Sequence, residues 1–379
     1  MVLWKNKEMS FLFNIKTLGF GAIACFLAWG SPVSARAQTL IFWHNQTGLQ
    51  ARFVEKLIAE FNAKHAHTQI RGETGLELES SLLSRIDPGV RPDLLLIPSD
   101  MMGLSQDLRL LQLPADWDPI SKRPGIPSDP HGVPILRGNQ LLLFYNKRLV
   151  NSVPATWADL KMQQEKLKSA GVHTIGWPFA EPYYFIPFLR AFGSFDPDHL
   201  DSPTMELALD FYRDLAVHGL VPQDCGLDCN TSRFYRGEFA FVISGDWQIA
   251  EAKAKLKGDF GMAPLPQMSE GRPLVSDEAI QYLVFPNKKN FEKNKKVLRQ
   301  FGEYLSSVPV QNRWQQRMNR VPVVSSGRPL PGNFARRRSV YAWIALQKGL
   351  QLIKSGKKGI PLEMQNQLEI LKRSEGQTR

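Results

Sequence analysis

Residues 39–65 read TLIFWHNQTGLQARFVEKLIAEFNAKH, an apolar strand, a polar loop and an amphipathic helix in immediate succession. Leu40 to Trp43 form the buried strand. Leu49, Phe53, Leu57 and Phe61 recur every four residues, which lays one apolar stripe along the helix. The alternation continues downstream. Thr68–Arg71 reads as a weak second strand, Leu78–Ile86 as a second helix stopped near Pro88-Gly89, and Pro92–Ile97 as a buried strand followed by the polar loop Ser99-Asp100. Short apolar strands alternating with amphipathic helices predict an α/β fold, with ligand-holding loops at the carboxyl ends of the strands.

Upstream, Lys5, Lys7 and Lys16 flank and precede an apolar run, Leu18–Trp29, that is too short to span a bilayer comfortably. Gly30 and Pro32 break the run, and Ala35-Arg36-Ala37 is a small-x-small cleavage site. Residues 1–37 therefore read as a secretory signal peptide, and the exported chain starts at Gln38 in the periplasm. A lipid anchor at Cys25 is the less favoured reading. Ala22 stands where a lipoprotein signal wants a Leu-like residue, and apolar residues continue as Phe26-Leu27-Ala28.

The remaining length exceeds one ordinary core and suits two domains. The formal charge of +11 falls to about +8 once Lys5, Lys7, Lys16 and Arg36 leave with Glu8. Basic clusters at Lys288-Lys289, Arg336-Arg337-Arg338 and Lys357-Lys358 are dispersed, and export separates the chain from nucleic acid. A solvated surface is expected, while an anionic ligand or anionic membrane surface stays open. Cys225 and Cys229 form C-G-L-D-C, which in an oxidising compartment points to a small disulfide; two free thiols or half a metal site are the alternatives. No second Cys/His pair stands at zinc-ligand spacing, so no metal is expected.

Residues 113–134 are rich in Pro, Asp and Gly and read as irregular. Leu141–Tyr145 is a strand, and Thr156 caps a helix with Asp159 three residues on, ending at Gly171. Ile175–Phe179 reads as a strand, Tyr183–Phe192 as an aromatic segment, and Leu207, Phe211, Leu215 and Val217 as a helix ending at Gly219. Phe239–Ile243 is a buried strand that ends in Ser244-Gly245-Asp246-Trp247. Tyr282–Phe285 is a late strand, Val297, Phe301, Tyr304 and Leu305 mark a helix, and Tyr341–Ile353 and Leu362–Leu371 are two more.

Taken in order, these segments resemble the extracellular solute-binding proteins of the maltose-binding type, the receptor components of ATP-driven (ABC) importers. LIFWHNQTG with FNAKH is similar to the family's first strand and helix, and RPDLLLIPSD to its Pro-Asp strand and ligand-facing loop. GVPILRGNQLLLFYNKRLVNSVPATWADLK resembles the segment that first crosses between lobes. AEPYYFIPFLRAFG and YRGEFAFVISGDWQIAEAK are similar to two aromatic ligand segments. The resemblance implies a type II fold of two α/β lobes around a cleft, joined by a hinge that the chain crosses several times. Lobe one would be about 38–137 plus 284–328, and lobe two about 138–283 plus 329–379.

A sugar site needs aromatic plates and polar side chains that pair with hydroxyls. By resemblance, Trp247 is a stacking plate at a strand end, with a packing tryptophan as the alternative. Glu181-Pro182-Tyr183-Tyr184 matches a Glu-Pro-aromatic-aromatic segment: Glu181 would accept hydroxyl hydrogen bonds, Tyr183 would stack or bond, and Tyr184 would pack. Trp343, twelve residues before Ser355-Gly356, is similar to another plate, or is a helix residue buried with Tyr341 and Leu346. Asp100 matches a hydroxyl acceptor. Asn45, Gln46 and Thr47 lie on the first loop. Gln46 and Thr47 stand where the maltose receptor has an Asp-Lys pair, Ile97 where it has a tryptophan, and Asn139 where it has a glutamate. These departures weaken a maltose assignment and leave the family intact. Arg137 and His44, near the same loops, could meet a phosphate or be hinge and surface residues.

Two function classes follow. The first is a receptor that binds a sugar or small oligosaccharide by lobe closure and delivers it to the permease subunits of the importer. It would be a monomer, with no cofactor, no catalysis and no nucleic-acid partner. Within this class a phosphorylated polyol such as glycerol 3-phosphate is the alternative ligand. The second is an exported glycoside hydrolase, which needs two carboxylates about 5–10 Å apart. Glu181 and Asp246 are the nominated pair, and the chain has no nucleophile elbow, zinc motif or P-loop to support it.

Overall fold

A computed structural model describes residues 38–74, 92–106, 108–122, 126, 128–222, 224–268, 271–276, 278–323, 337–353 and 357–376. The leader, the helix expected at 78–86 with its Pro88-Gly89 stop, Arg336 and the Ser355-Gly356 turn lie outside these residues.

The first lobe is built on a sheet in the order β2-β1-β3-β9-β4. Its strands are β1 (Gln38–Trp43), β2 (Thr68–Glu73), β3 (Leu94–Pro98), β4 (Gly132–Gly138) and β9 (Ala279–Val284). β1 runs parallel to β2 and β3, whereas β9 enters antiparallel between β3 and β4. Every residue of β3 is buried. Leu94 and Leu96 join one core cluster and Leu95 and Ile97 another, so the strand is covered on both faces, as its unbroken apolar run requires. Helix α1 (Gly48–Asn62) buries Phe53, Val54, Leu57, Ile58 and Phe61 on one face. Helices α7 (Lys288–Leu305) and α8 (Val308–Met318) complete that cover, with Phe301 and Trp314 in the same core.

The second lobe is built on a sheet in the order β6-β7-β5-β8. Its strands are β5 (Leu141–Asn146), β6 (His173–Gly176), β7 (Phe239–Gly245) and β8 (Phe260–Ala263). Its single large core gathers α3 (Trp157–Ser169), α4 (Pro182–Phe192), α5 (Pro203–Val217), α6 (Ile249–Leu256), α9 (Arg337–Ile353) and α10 (Ile360–Gly376); a one-turn helix, α2 (Asp118–Ser121), belongs to the first lobe. α3 starts where the capping box sits. Thr156 Oγ1 accepts the Asp159 N–H at 3.2 Å, and the Asp159 carboxylate accepts the Thr156 N–H at 2.8 Å.

Two expectations change. Leu207 and Val217 do not face the core but are exposed. α5 instead buries Met205, Ala208, Leu209, Tyr212, Leu215 and Ala216, the i, i+3, i+4 set that follows from its start at Pro203. The strand expected at 175–179 stops at Gly176, because Pro178 has no N–H for a ladder; Trp177 and Phe179 turn inward around Tyr212. β9, from Ala279 on, is hydrogen-bonded throughout to first-lobe strands, whereas the sequence reading opens the returning segment of that lobe at about 284.

The crossing itself is short. β4 ends at Gly138 and β5 begins at Leu141. Gly138 has φ +145°, and a Cβ there would run into the Asp246 carboxylate, so only glycine fits. Asn139 follows in the left-handed region at φ +66°. Arg137 is 1% exposed, and its Nε and Nη2 donate to Glu278 Oε2 at 3.0 and 2.7 Å. Gln140 donates to the other oxygen of the same carboxylate. Arg320, 2% exposed, is paired with Asp246 and donates to Asn139 Oδ1 at 3.1 Å. The Asn139 N–H donates to Asp246 Oδ1 at 3.0 Å.

Replacing Arg137 with Ala strands the Glu278 carboxylate in a buried site. Urea titration should show a loss of about 3–5 kcal/mol in unfolding free energy; an unchanged midpoint would mean that water already reaches this carboxylate.

Candidate functional site

Tyr183 is the centre of the candidate site. It lies in the first turn of α4, where Pro182 occupies the N1 position and Glu181 the cap position. Its ring centroid is 6.0 Å from that of Trp247 at 62° and 6.3 Å from that of Trp343 at 46°. Trp247 comes from the turn that closes β7, and Trp343 from α9. All three rings are half-buried and pack on the rim of the second-lobe core. Tyr184, beside them, is buried, as its packing role requires. Segments far apart in sequence thus converge on one aromatic cluster. The Tyr183 hydroxyl donates to the carbonyl of Asn139, so the cluster is bonded directly to the crossing.

Two carboxylates flank the rings. Glu181 is pushed up to about 7, first by burial; Asp100 adds repulsion, while the Tyr183 backbone and the Trp343 indole oppose the shift. The Trp343 indole N–H is buried and meets no acceptor in hydrogen-bond geometry among the described residues, which leaves a donor beside the carboxyl. Asp100 belongs to the first-lobe turn Ser99–Leu104, which packs against α9 of the second lobe.

The lobes also meet at the N-terminus of α1. Gln50 Nε2 donates to the Trp247 carbonyl at 2.8 Å, and the Leu49 N–H donates to Glu251 Oε2 at 3.1 Å. Beside this contact lies a groove of about 500 Å³. Thr47 and Gln50 line it from the first lobe; Thr231, Ser232, Tyr235 and Trp247 line it from the second. Arg236, Glu251 and Lys255 also line it, with Arg236 paired to Glu238 and Lys255 to Glu251; hydroxyls, amides and these paired charges around an aromatic face form a lining suited to a polyhydroxylated ligand.

The other expected residues fall elsewhere. Arg137 is neutralised by Glu278 within the crossing and does not face the groove. Asn139 is spent on Arg320, Asp246 and Tyr183. His44 is buried, its pKa lowered to about 4 by burial, and its Nδ1 has no hydrogen-bond partner among the described residues; a neutral ring is no anchor for a phosphate. Gln46 is buried and donates to exposed Asn45 at 3.0 Å. Thr231, Ser232, Tyr235, Gln248 and Glu251 escaped the sequence reading. The cysteine pair just upstream was the available signal. Cys225 and Cys229 are joined, with Cα atoms 5.5 Å apart, and the π-helical turn Cys229–Arg233 carries Thr231 and Ser232.

The pattern of the family described as bacterial extracellular solute-binding protein matches residues 56–332. This chain belongs to that family. The solute-binding protein is 25% identical over 304 residues to the maltotriose-binding protein of Pyrococcus abyssi, covering 72% of this chain and 66% of that one, so it spans about two thirds of that relative's length. It is 22% identical over 324 residues to the galactooligosaccharide-binding protein of Bacillus subtilis, covering 77% and 74% of the two chains. Among solved structures, it superposes on the maltose/maltodextrin-binding domain of Bdellovibrio bacteriovorus bound to maltotriose with a TM-score of 0.75. The sequence identity there is 19%, over 88% of this chain and 100% of that one, which establishes the two-lobed fold. No helix among the described residues of the solute-binding protein is long and apolar enough to cross a membrane.

The raised Glu181 pKa links stability to pH. The folded protein holds this proton more tightly than the unfolded chain, so the contribution is full below about pH 4.5 and is lost as pH rises toward about 7. Thermal unfolding of wild type and Glu181→Gln between pH 4 and 8 should show the variant gaining on wild type across that window and holding its advantage above it. A pH-independent difference would place the carboxyl in water.

Proposed function

We propose that this solute-binding protein is the exported receptor of an ATP-driven importer. It takes a neutral sugar or short oligosaccharide between its lobes and delivers it to a membrane permease, acting as a periplasmic monomer without chemistry or cofactor. The observation that carries the reading is the convergence of Tyr183, Trp247 and Trp343 beside Glu181 and Asp100, with a groove of about 500 Å³ opening next to Trp247. Sugar rings offer apolar faces to aromatic plates and hydroxyl rims to carboxylates and amides. The lobes are taken as residues 38–138 with 279–323, and 139–278 with 337–376.

Closure is the signal in this reading. Only the closed form touches the ligand from both lobes, so ligand shifts the population toward it. Turning a mostly open population into a mostly closed one needs about 5.5 kcal/mol of differential affinity. The names of the relatives, maltotriose-binding and galactooligosaccharide-binding, support the ligand class.

The phosphorylated-polyol alternative loses the two anchors nominated for it, Arg137 and His44. Arg137 is paired, His44 is neutral, and Glu251 already occupies the N-terminus of α1. The hydrolase alternative loses one carboxylate, because Asp246 is engaged by Arg320 and by the Asn139 N–H.

Tryptophan fluorescence should report titration with maltose, maltotriose, trehalose, glucose and glycerol 3-phosphate at low and high salt. An oligosaccharide is expected to saturate the signal with little salt dependence and without turnover. Trp247→Ala should weaken it at least tenfold, about 1.4 kcal/mol. A response to glycerol 3-phosphate alone, decaying with salt, would move the ligand to the anionic class. Silence from folded protein across the whole panel would sink the sugar reading.

A further inference from the structure

The wall of the groove opposite α1 depends on one buried amide. Asn230 sits in the π-helical turn Cys229–Arg233 and is 3% exposed. Its Nδ2 donates twice, to the Tyr184 hydroxyl at 2.9 Å and to the Ile243 carbonyl at 3.0 Å. Tyr184 is the neighbour of Tyr183. Ile243 lies on β7, four residues before Trp247. The next two residues of the turn, Thr231 and Ser232, line the groove themselves. A single side chain therefore ties together three separate pieces of the site: the Glu181–Tyr184 segment, the strand that delivers Trp247, and the hydroxyl-bearing turn.

The disulfide braces this tie from behind. Cys229 opens the turn, and its partner Cys225 accepts the Phe179 N–H on its carbonyl at 3.4 Å, two residues before Glu181. Both cysteines are buried. Arg233, at the far end of the turn, is bound through its guanidinium to Glu238 and Asp224, and its N–H donates to the Asp228 carbonyl at 3.0 Å. Tyr235 then donates to Gln248 Oε1 at 3.1 Å, which joins the chain after the turn to the residue following Trp247. A short loop closed by a covalent bond has few ways to move, so the amide of Asn230, the residue that directly follows it, is held in one place.

We infer that Asn230, braced by the Cys225–Cys229 disulfide, is a positioning residue that sets the second-lobe half of the ligand site without touching ligand. It does so by fixing Tyr183 and Trp247 relative to the Thr231-Ser232 turn. The inference rests on the sugar-receptor reading for its functional consequence but not for its structural content, and the test separates the two.

The first arm uses ligand-free full-length mature protein and reads amide hydrogen exchange. Asn230→Ala should raise exchange together at residues 182–185 and 243–248, as well as in the turn. The second arm reads affinity for maltotriose and for the other sugars of the panel. Asn230→Ala should weaken the best of them at least tenfold, and Tyr184→Phe several-fold. The double variant should bind no more weakly than Asn230→Ala alone, because both changes remove the same bond. Cys225→Ala/Cys229→Ala should move both readouts in the same direction. Exchange confined to residues 229–233, or affinity losses that simply add, would overturn the positioning role; a residue that only stabilised the fold would lower the unfolding midpoint and leave the affinity of the folded protein unchanged. Should Asn230→Ala not fold, Tyr184→Phe, which deletes one oxygen, tests the same bond. A wild type that ignores every sugar refutes the receptor reading, and the exchange pattern then decides the inference by itself.

Discussion

Two buried guanidinium–carboxylate pairs hold the lobes where the chain crosses between them. Arg137 on β4 meets Glu278 just before β9, and Arg320 just after α8 meets Asp246 at the end of β7. Each pair joins residues far apart in sequence. Both are largely withdrawn from solvent, so the charges must satisfy one another or be left at high cost. That constraint selects one geometry for the crossing, and Gly138 and Asn139 adopt the positive φ values it demands.

The aromatic cluster inherits its place from this arrangement. Asp246, held by Arg320, immediately precedes Trp247. Asn139, held by Arg320 and Asp246, offers its carbonyl to Tyr183. A ligand lying on Tyr183 and Trp247 would therefore touch residues one bond away from the hinge. In the proposed receptor this is a short route from occupancy to lobe closure. Glu251 and Gln50 supply contacts that exist only while the lobes are together, because each reaches from one lobe to the other.

Local features were legible from residue order. The Thr156–Asp159 box, the stripe of α1 and the apolar runs of β3 and β7 depend on neighbours within a few positions, and all appear where the spacing puts them. β4 was missed for a physical reason. Pro134 and Arg137 interrupt its apolar pattern; the proline is tolerated because β4 is the edge strand of its sheet, where the register shifts between Pro134 and Leu136, and Glu278 neutralises the arginine from a remote segment. α8 was missed because Pro309 stands in its first turn and polar residues fill most of its length; its buried side is Val310, Trp314 and Met318 together with the amide of Gln311. The phase of α5 was misread because Ala208 and Tyr212, not the larger aliphatic Leu207, occupy its inner face.

Residue order set the α/β class, the order of most elements, the aromatic and acidic residues proposed for the site, and the family pattern that runs through them. These follow from period, capping and residue type, which act over short stretches of chain. Tertiary structure alone decided which charges are free. Arg137 and His44 look like anion anchors in one dimension, yet a distant carboxylate neutralises the first and burial discharges the second. It also decided that Tyr183, Trp247 and Trp343 share one aromatic cluster, and that the turn opening at Cys229 lines the adjoining groove. Pairing and desolvation depend on what folds against a residue, and that partner stands far away along the chain.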